Sequence, residues 1–303
     1  MIKVIGIGGG GVDMVDYMYD MGIHGVDFAV CNTDMLSFDG VNVPVKVHFG
    51  QSGREAKSEF EANADKFEEL LTDNTRMVFI VAGMGGSTGS DVAPLLAKMA
   101  KSMGILTVGI VTTPFLSEQN PRIIRTLPAV EEMSRNVDSL IIINIERLRL
   151  LFPDLFVDEC FIKVNKKAYK TVKSIAELIT QRGIINLDFY DINATMQDSG
   201  VTLVSYGFGK GENRIDMAIR ETLNMPLLNN YDLYNAKRML FYLSFKPESH
   251  VTMEEIQQSV ERFVDIFDKH IRLIWGCGYD TSLMEEQEVK FTLIATGFGI
   301  EDF

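Results

Sequence analysis

The stretch GMGGSTGSDVAP, residues 83 to 94, decides how this chain folds. It follows the apolar run MVFIVAG (77–83) and leads into an apolar helical pattern near 91–103. It therefore reads as a glycine-rich turn from a buried strand into a helix. Such a turn leaves backbone N–H groups at a helix N-terminus, where they and the helix dipole favour an anion. Gly85, Gly86 and Gly89 allow close approach, and the hydroxyls of Thr88 and Ser90 are expected to add donors to the same cradle, which also includes Ser87. GIGGGG, residues 6 to 11, repeats the design with Gly8, Gly9, Gly10 and Gly11 after the strand-like IKVIGIG. VDMVDYMYDMG then has helical spacing and closes on Gly22 at a C-cap position. Neither loop carries G-K-[ST], which excludes a standard P-loop. Two glycine loops after two different strands point to a nucleotide whose phosphates are held by backbone.

Working outward, DFAVCNTD (27–34), ILTVGIVT (105–112) and SLIIIN (139–144) are continuous apolar strands alternating with helical segments. That pattern predicts a parallel sheet covered on both faces. Residues 160–181 place Phe161, Val164, Ala168, Val172, Ile175 and Leu178 on one stripe, with a lysine-rich remainder, and predict one long helix. Beyond it come the strand GVTLVSYGFG, a helix at 212–223, the strand KRMLFYLSF and a helix at 252–267. HIRLIWGCG and EVKFTLIATGFG then follow each other with no helix between, which predicts an antiparallel pair in a mixed sheet. The expected fold class is α/β: a parallel-sheet nucleotide-binding domain over 1–158, a central helix over 159–182, and a second α/β domain with a mixed sheet over 183–303.

Lys plus Arg is 29 against 42 Asp plus Glu, a net charge of -13 in 303 residues. This charge opposes binding to phosphate backbones and anionic lipid, so no nucleic acid partner is expected. Three cysteines without a C-x-x-C and four scattered histidines suggest neither disulfides nor a protein-ligated metal, and favour a reducing compartment. No apolar run reaches membrane-spanning length and MIKVIGIG does not open like a signal peptide, so a cytoplasmic protein is expected.

Two further features weigh on the function. GIGGGG also satisfies G-x-G-x-x-G, with Asp34 near where a dinucleotide fold keeps its ribose-binding acid. A dinucleotide oxidoreductase leaves the second glycine loop unexplained. NLDFYD supplies Asn186, Asp188 and Asp191, and the two acids at a spacing of three also suit a helix N-cap and its reciprocal partner.

The chain resembles the FtsZ family, the bacterial relatives of tubulin, from KVIGIGGGG to TLIATGFG. GGSTGSD stands for the signature G-G-G-T-G-[ST]-G; NTD (32–34), GILTVGIVTTPF (104–115), NVDSLI (136–141), SIAELIT (174–180) and INLDFYD (185–191) follow in order. The resemblance implies that GTP or GDP, with Mg2+, lies on Gly8–Gly11 and on the loop at 85–90. It places Glu118 and Arg122 at the ribose, Phe161 beside the base, and Asp13 and Lys166 at its edge. It also implies that Asn186, Asp188 and Asp191 enter the nucleotide site of the next copy, giving a head-to-tail filament and a GTPase site shared between chains. The expected partner is therefore the chain itself, and also a more typical member of the family. Departures from the pattern are Ser87 and Asp91 for glycines, Val12, Asp13 and Lys166 at the base, NIE (144–146) for Pro-Asn-Asp, and a short HFGQSGREAK segment. Asp91 is expected at the helix start, repelling phosphate or capping the helix. Asp13 and Lys166 read either as an exchanged pair, acid to guanine N1 and N2 and ammonium to O6, or as a surface ion pair. A scaffold with weak hydrolysis is the alternative function. The sequence stops at Phe303 without the linker and terminal peptide that tether the family, so no direct membrane binding is expected.

Overall fold

The structure, a computed structural model, describes residues 1–51, 53–72, 74–118, 120–181, 183–224, 233–267, 271–283 and 289–302. Ser52 of the HFGQSGREAK segment, and His270 and Glu288 at the starts of two expected strands, lie outside these residues. The chain divides into two contiguous units, Met1–Ala176 and Glu177–Phe303.

In the first unit six strands are ordered β3-β2-β1-β4-β5-β6, comprising β1 (Ile2–Ile7), β2 (Val26–Asn32), β3 (Val45–His48), β4 (Met77–Gly83), β5 (Leu106–Thr113) and β6 (Ser139–Asn144). Every neighbouring pair is parallel. β1 and β5 are buried along their whole length, as strands covered on both faces must be. The helices are α1 (Gly8–Met21), α2 (Ala56–Ala62), α3 (Ala64–Leu71), α4 (Ser87–Ser102), α5 (Asn120–Asn136) and α6 (Ile145–Leu151). Gly22 ends α1 with φ 70°, its N–H bonded to the Met18 and Tyr19 carbonyls.

The long helix is α7, Val157–Thr180. Val164, Ala168, Val172 and Ile175 form its buried stripe. The unit boundary falls inside it, with most of the helix belonging to the first unit.

The second unit carries β7 (Gly183–Ile185), α8 (Phe189–Met196), β8 (Gly200–Gly209), α9 (Arg214–Leu223), β9 (Arg238–Phe245), α10 (Met253–Ile266), β10 (Arg272–Tyr279) and β11 (Val289–Phe298). Its strand order is β8-β11-β9-β10-β7. The expected antiparallel pairing of the last two strands is wrong: β9 lies between them, parallel to β10 and antiparallel to β11. The mixed sheet stands, but β11 finds its second partner in β8. Phe241, Phe263, Phe291 and Trp275 form the aromatic core, with Phe241 stacked on Phe291 at 5.0 Å and on Trp275 at 5.9 Å.

Candidate functional site

Both glycine loops leave the first sheet where its strand order reverses. β1 and β4 are adjacent, and the chain runs outward from them to β2 and β3 on one side and to β5 and β6 on the other. In open parallel sheets, ligands settle in the crevice beyond the carboxyl ends at this switch point.

Helix α1 begins at Gly8, so the glycines form its first turn, and Ile7 at the N-cap offers no side-chain bond. Gly86 caps α4, also without a side-chain bond. The first-turn N–H groups of both helices are thus left for another acceptor. Gly11 and Gly89 are packing glycines, since a Cβ on Gly11 would strike the Val81 carbonyl and one on Gly89 the Gly83 carbonyl. Gly8, at φ 72°, brings the loops together, a Cβ there lying 3.0 Å from Gly89 N. Gly9 and Gly86 differ. Both are exposed, and nothing lies within 4 Å of where their Cβ atoms would be. The two loops therefore bound an open cradle fitted to a phosphate chain, which side chains at Gly9 and Gly86 would fill.

Two of the hydroxyls brace this cradle. Ser90 Oγ accepts from Gly85 N at 2.9 Å, and Thr88 Oγ1 shares a hydrogen bond with Thr33 Oγ1 at 3.1 Å. Ser87 lies against Gly53, where a Cβ would collide with its Oγ. Asp91 is the fifth residue of α4, half-buried, and no acid stands in that helix's first turn. It is neither the N-cap nor at the helix start, because α4 begins at Ser87, about one turn earlier than the apolar pattern alone indicates.

After β5 the chain is pinned by two acids. Glu118 accepts from Phe115 N at 3.1 Å and from Arg122 Nη1 at 2.8 Å. Glu146, buried, accepts from Leu116 N at 3.2 Å and from Arg149 Nε at 3.0 Å. The Arg149 hydrogen bond holds the Glu146 carboxyl below the usual carboxylate range, against the opposing effect of burial. Sequence reasoning noted NIE only as a departure. In the structure Asn144 caps α6 through Arg147 N at 3.0 Å while Glu146 fixes the turn. The legible signal was Asn before an apolar helical run.

Phe161, exposed on α7, meets Phe115 edge-on at 5.9 Å. One side chain of the pair follows the β5 strand end and the other stands near the start of α7, so that helix starts at the same sheet edge as the cradle. Further down, Tyr169 meets Tyr17 of α1 edge-on at 6.2 Å. Both helices thus descend from that edge, and Asp13 and Lys166 stand about one turn above the tyrosine contact, on α1 and α7 respectively. Both are exposed, and no ion pair joins them. Loss of hydration and then the neighbouring Asp16 charge raise the Asp13 carboxyl above its ordinary value.

The second unit presents the acids. Asn186 Oδ1 accepts from Gly183 N at 2.7 Å, closing the turn after β7. Asp188 caps α8, its Oδ1 accepting from Tyr190 N at 2.7 Å and Asp191 N at 3.1 Å, while Asp191 Oδ2 accepts from Asp188 N at 3.0 Å. The capping pair expected from the spacing is present. Asn186 and Asp188 are exposed and Asp191 is half-buried. Each acid gives one oxygen to the cap and retains one for another partner. Among the described residues, no group of three or more His, Cys, Asp or Glu is arranged to hold a metal, and no helix is long and apolar enough to cross a membrane.

Comparison with known proteins agrees with this geometry. The model of the Tubulin/FtsZ family GTPase domain matches residues 1–152, and that of the FtsZ family C-terminal domain matches residues 200–299. The chain is similar to the cell division protein FtsZ of Porphyromonas gingivalis, 38% identical over 99% of this chain and 68% of that protein. It is also similar to that of Aquifex aeolicus, 32% identical over 100% of this chain and 84% of that one. Among solved structures, an empty FtsZ dimer of M. jannaschii superposes with a TM-score of 0.85 at 29% identity, covering 98% of this chain and 88% of that one.

Proposed function

Because the chain belongs to the tubulin/FtsZ family, with the family's GTPase domain and C-terminal domain both present, we propose that it is a cytoskeletal GTPase of division that hydrolyses GTP where successive copies meet head to tail. The family supplies the GTPase activity, and the relatives are cell division proteins. One observation supports the shared site: the cradle belongs to the first unit, whereas Asp188, exposed at the cap of α8, and the half-buried Asp191 in its first turn belong to the second. A loop of one copy entering the cradle of the next is a heterologous contact, which propagates into a filament.

In this reading the first-turn N–H groups at Gly8–Gly11 and at Gly86–Gly89 hold the phosphates. Glu118 and Arg122 face the ribose, Phe161 covers the base, and Asp13 and Lys166 meet its edge. Mg2+, when bound, offsets phosphate charge. The free oxygens of Asp188 and Asp191 orient a water and take its proton as the water oxygen attacks the γ-phosphorus. The bond from that phosphorus to the bridging oxygen breaks, and GDP and inorganic phosphate leave. Phosphoryl transfer of this kind depends mainly on position and electrostatics. Ser87 and Asp91 weigh less against binding than their identity suggests, since Gly53 makes room for one and the other stands a turn inside α4.

Phosphate release from GTP as a function of protein concentration tests the proposal. A threshold followed by an upturn is expected. Release strictly proportional to concentration would show self-contained sites, and no release at any concentration would favour a scaffold. The reading also puts the protein in the cytoplasm.

A further inference from the structure

The second unit holds a cleft of about 1070 Å3 between the start of α9 and the first turns of α10, its walls formed by residues within 211–216 and 248–262. Both arginines that line it are already matched. Arg214, 8% exposed, holds Glu255 through Nε at 2.8 Å and Nη2 at 3.1 Å, and Arg262 Nη2 lies 3.0 Å from Asp216 Oδ2. Three lining acids are left over. Glu254 accepts from the neutral amide of Gln258, and among the described residues Glu212 and Glu248 have no polar partner. Three uncompensated negative charges exceed the partial charge of about +0.5 at each of the two helix starts, so the cleft attracts cations.

One buried group points to an occupant. Ser249 lines the cleft, is 6% exposed, and its Oγ has no hydrogen-bond partner. A buried hydroxyl left unpaired costs stability, and a ligand that brings an N–H group satisfies it. Among the described residues no three acids stand close enough to hold one metal ion, so the charge is spread along the cleft and suits an elongated polycation. The walls are turns and helix starts. A peptide backbone finds no strand edge to join there, whereas a chain of ammonium groups joined by methylenes needs none. We infer that this cleft binds a linear polyamine, with its ammonium groups on Glu212, Glu248 and Glu254 and one N–H donated to Ser249 Oγ. The site is separate from the nucleotide cradle and does not depend on the head-to-tail reading.

Spermine titrated into the full chain, without nucleotide or Mg2+ and at about 150 mM salt, tests the inference by calorimetry and thermal unfolding. Binding is expected to saturate at one per chain and to raise the melting temperature by about 2–4 °C. Glu212→Gln/Glu248→Gln should melt within about 1 °C of wild type but bind at least about tenfold more weakly. Removing the same charge from the exposed face of α3, with Glu68→Gln/Glu69→Gln, should leave affinity within about twofold. Ser249→Ala deletes an unpaired hydroxyl, so it should melt no lower than wild type, yet bind about threefold more weakly. Equal weakening by the two glutamine pairs, binding that does not saturate, or an affinity unmoved by Glu212→Gln/Glu248→Gln or by Ser249→Ala overturns the inference. So does a four-lysine peptide that binds more than about tenfold tighter than spermine and is weakened by Glu212→Gln/Glu248→Gln, because the occupant is then a basic protein segment.

Discussion

Asp188 caps a helix with one oxygen and keeps the other to spare. Its spacing from Asp191 announces a helix cap, and the cap is there; the same letters do not reveal that a second oxygen on each acid is left over, because that depends on the turn closed by Asn186. Asn preserves the capping acceptor and removes the charge. Asp188→Asn/Asp191→Asn is therefore expected to melt close to wild type in thermal unfolding, yet to lose about 10²-fold or more in steady-state phosphate release. Turnover within a factor of about two of wild type would remove these acids from the chemistry. Glu146 was legible only as an oddity, since its role depends on Leu116 and Arg149 meeting it from two segments. Its folded pKa is lowered, chiefly by the Arg149 hydrogen bond. The stability it contributes is thus fully present above the unfolded value, about 4.3, and lost as pH falls through the lower folded value. Glu146→Gln should melt about 2–4 °C below wild type at pH 7, and the gap should close below about pH 4. A gap unchanged across that range would show that the carboxylate charge contributes nothing.

At the level of elements, the strand and helix pattern of the first unit was plain because buried parallel strands are continuous apolar runs. Ambiguity lay at glycines, where the same letter serves packing and ligand space. The structure separates them, and the separation predicts opposite outcomes. Gly89→Ala should destabilise the protein by about 1–3 kcal/mol, because the methyl meets the Gly83 carbonyl at 2.5 Å and the junction of β4 with α4 must shift. Gly9→Ala has open space and should keep the melting temperature or raise it slightly, while weakening GTP binding by about tenfold or more in titration. Equal melting temperatures for the two variants would refute this division. The pairing of β10 with β11 was misread for a different reason. Adjacency in sequence suggests a hairpin, but β9 takes the position between them, and the long-range choice of partner leaves no local trace in either strand.

For the whole molecule, the division of labour between units makes a prediction about mixtures. Gly9→Asp places a charge in the cradle but leaves the acidic loop whole, and Asp188→Asn/Asp191→Asn does the reverse. Neither variant alone should release phosphate at a measurable rate. Their mixture should recover part of the wild-type rate, because the sound loop of one chain serves the sound cradle of the other. A mixture as inert as its components would mean that each chain completes its own site. The two units are also contiguous stretches, the first ending at Ala176 and the second starting at Glu177. A ribosome therefore finishes the cradle and α7 before it reaches Asp188 or Asp191. At about 5–20 residues per second, the 12 residues from Ala176 to Asp188, 188 less 176, take about 0.6–2.4 s. In that interval the nascent chain carries the whole cradle and neither acid, so on the proposed shared site a nucleotide bound during synthesis waits for the acids of another, finished chain.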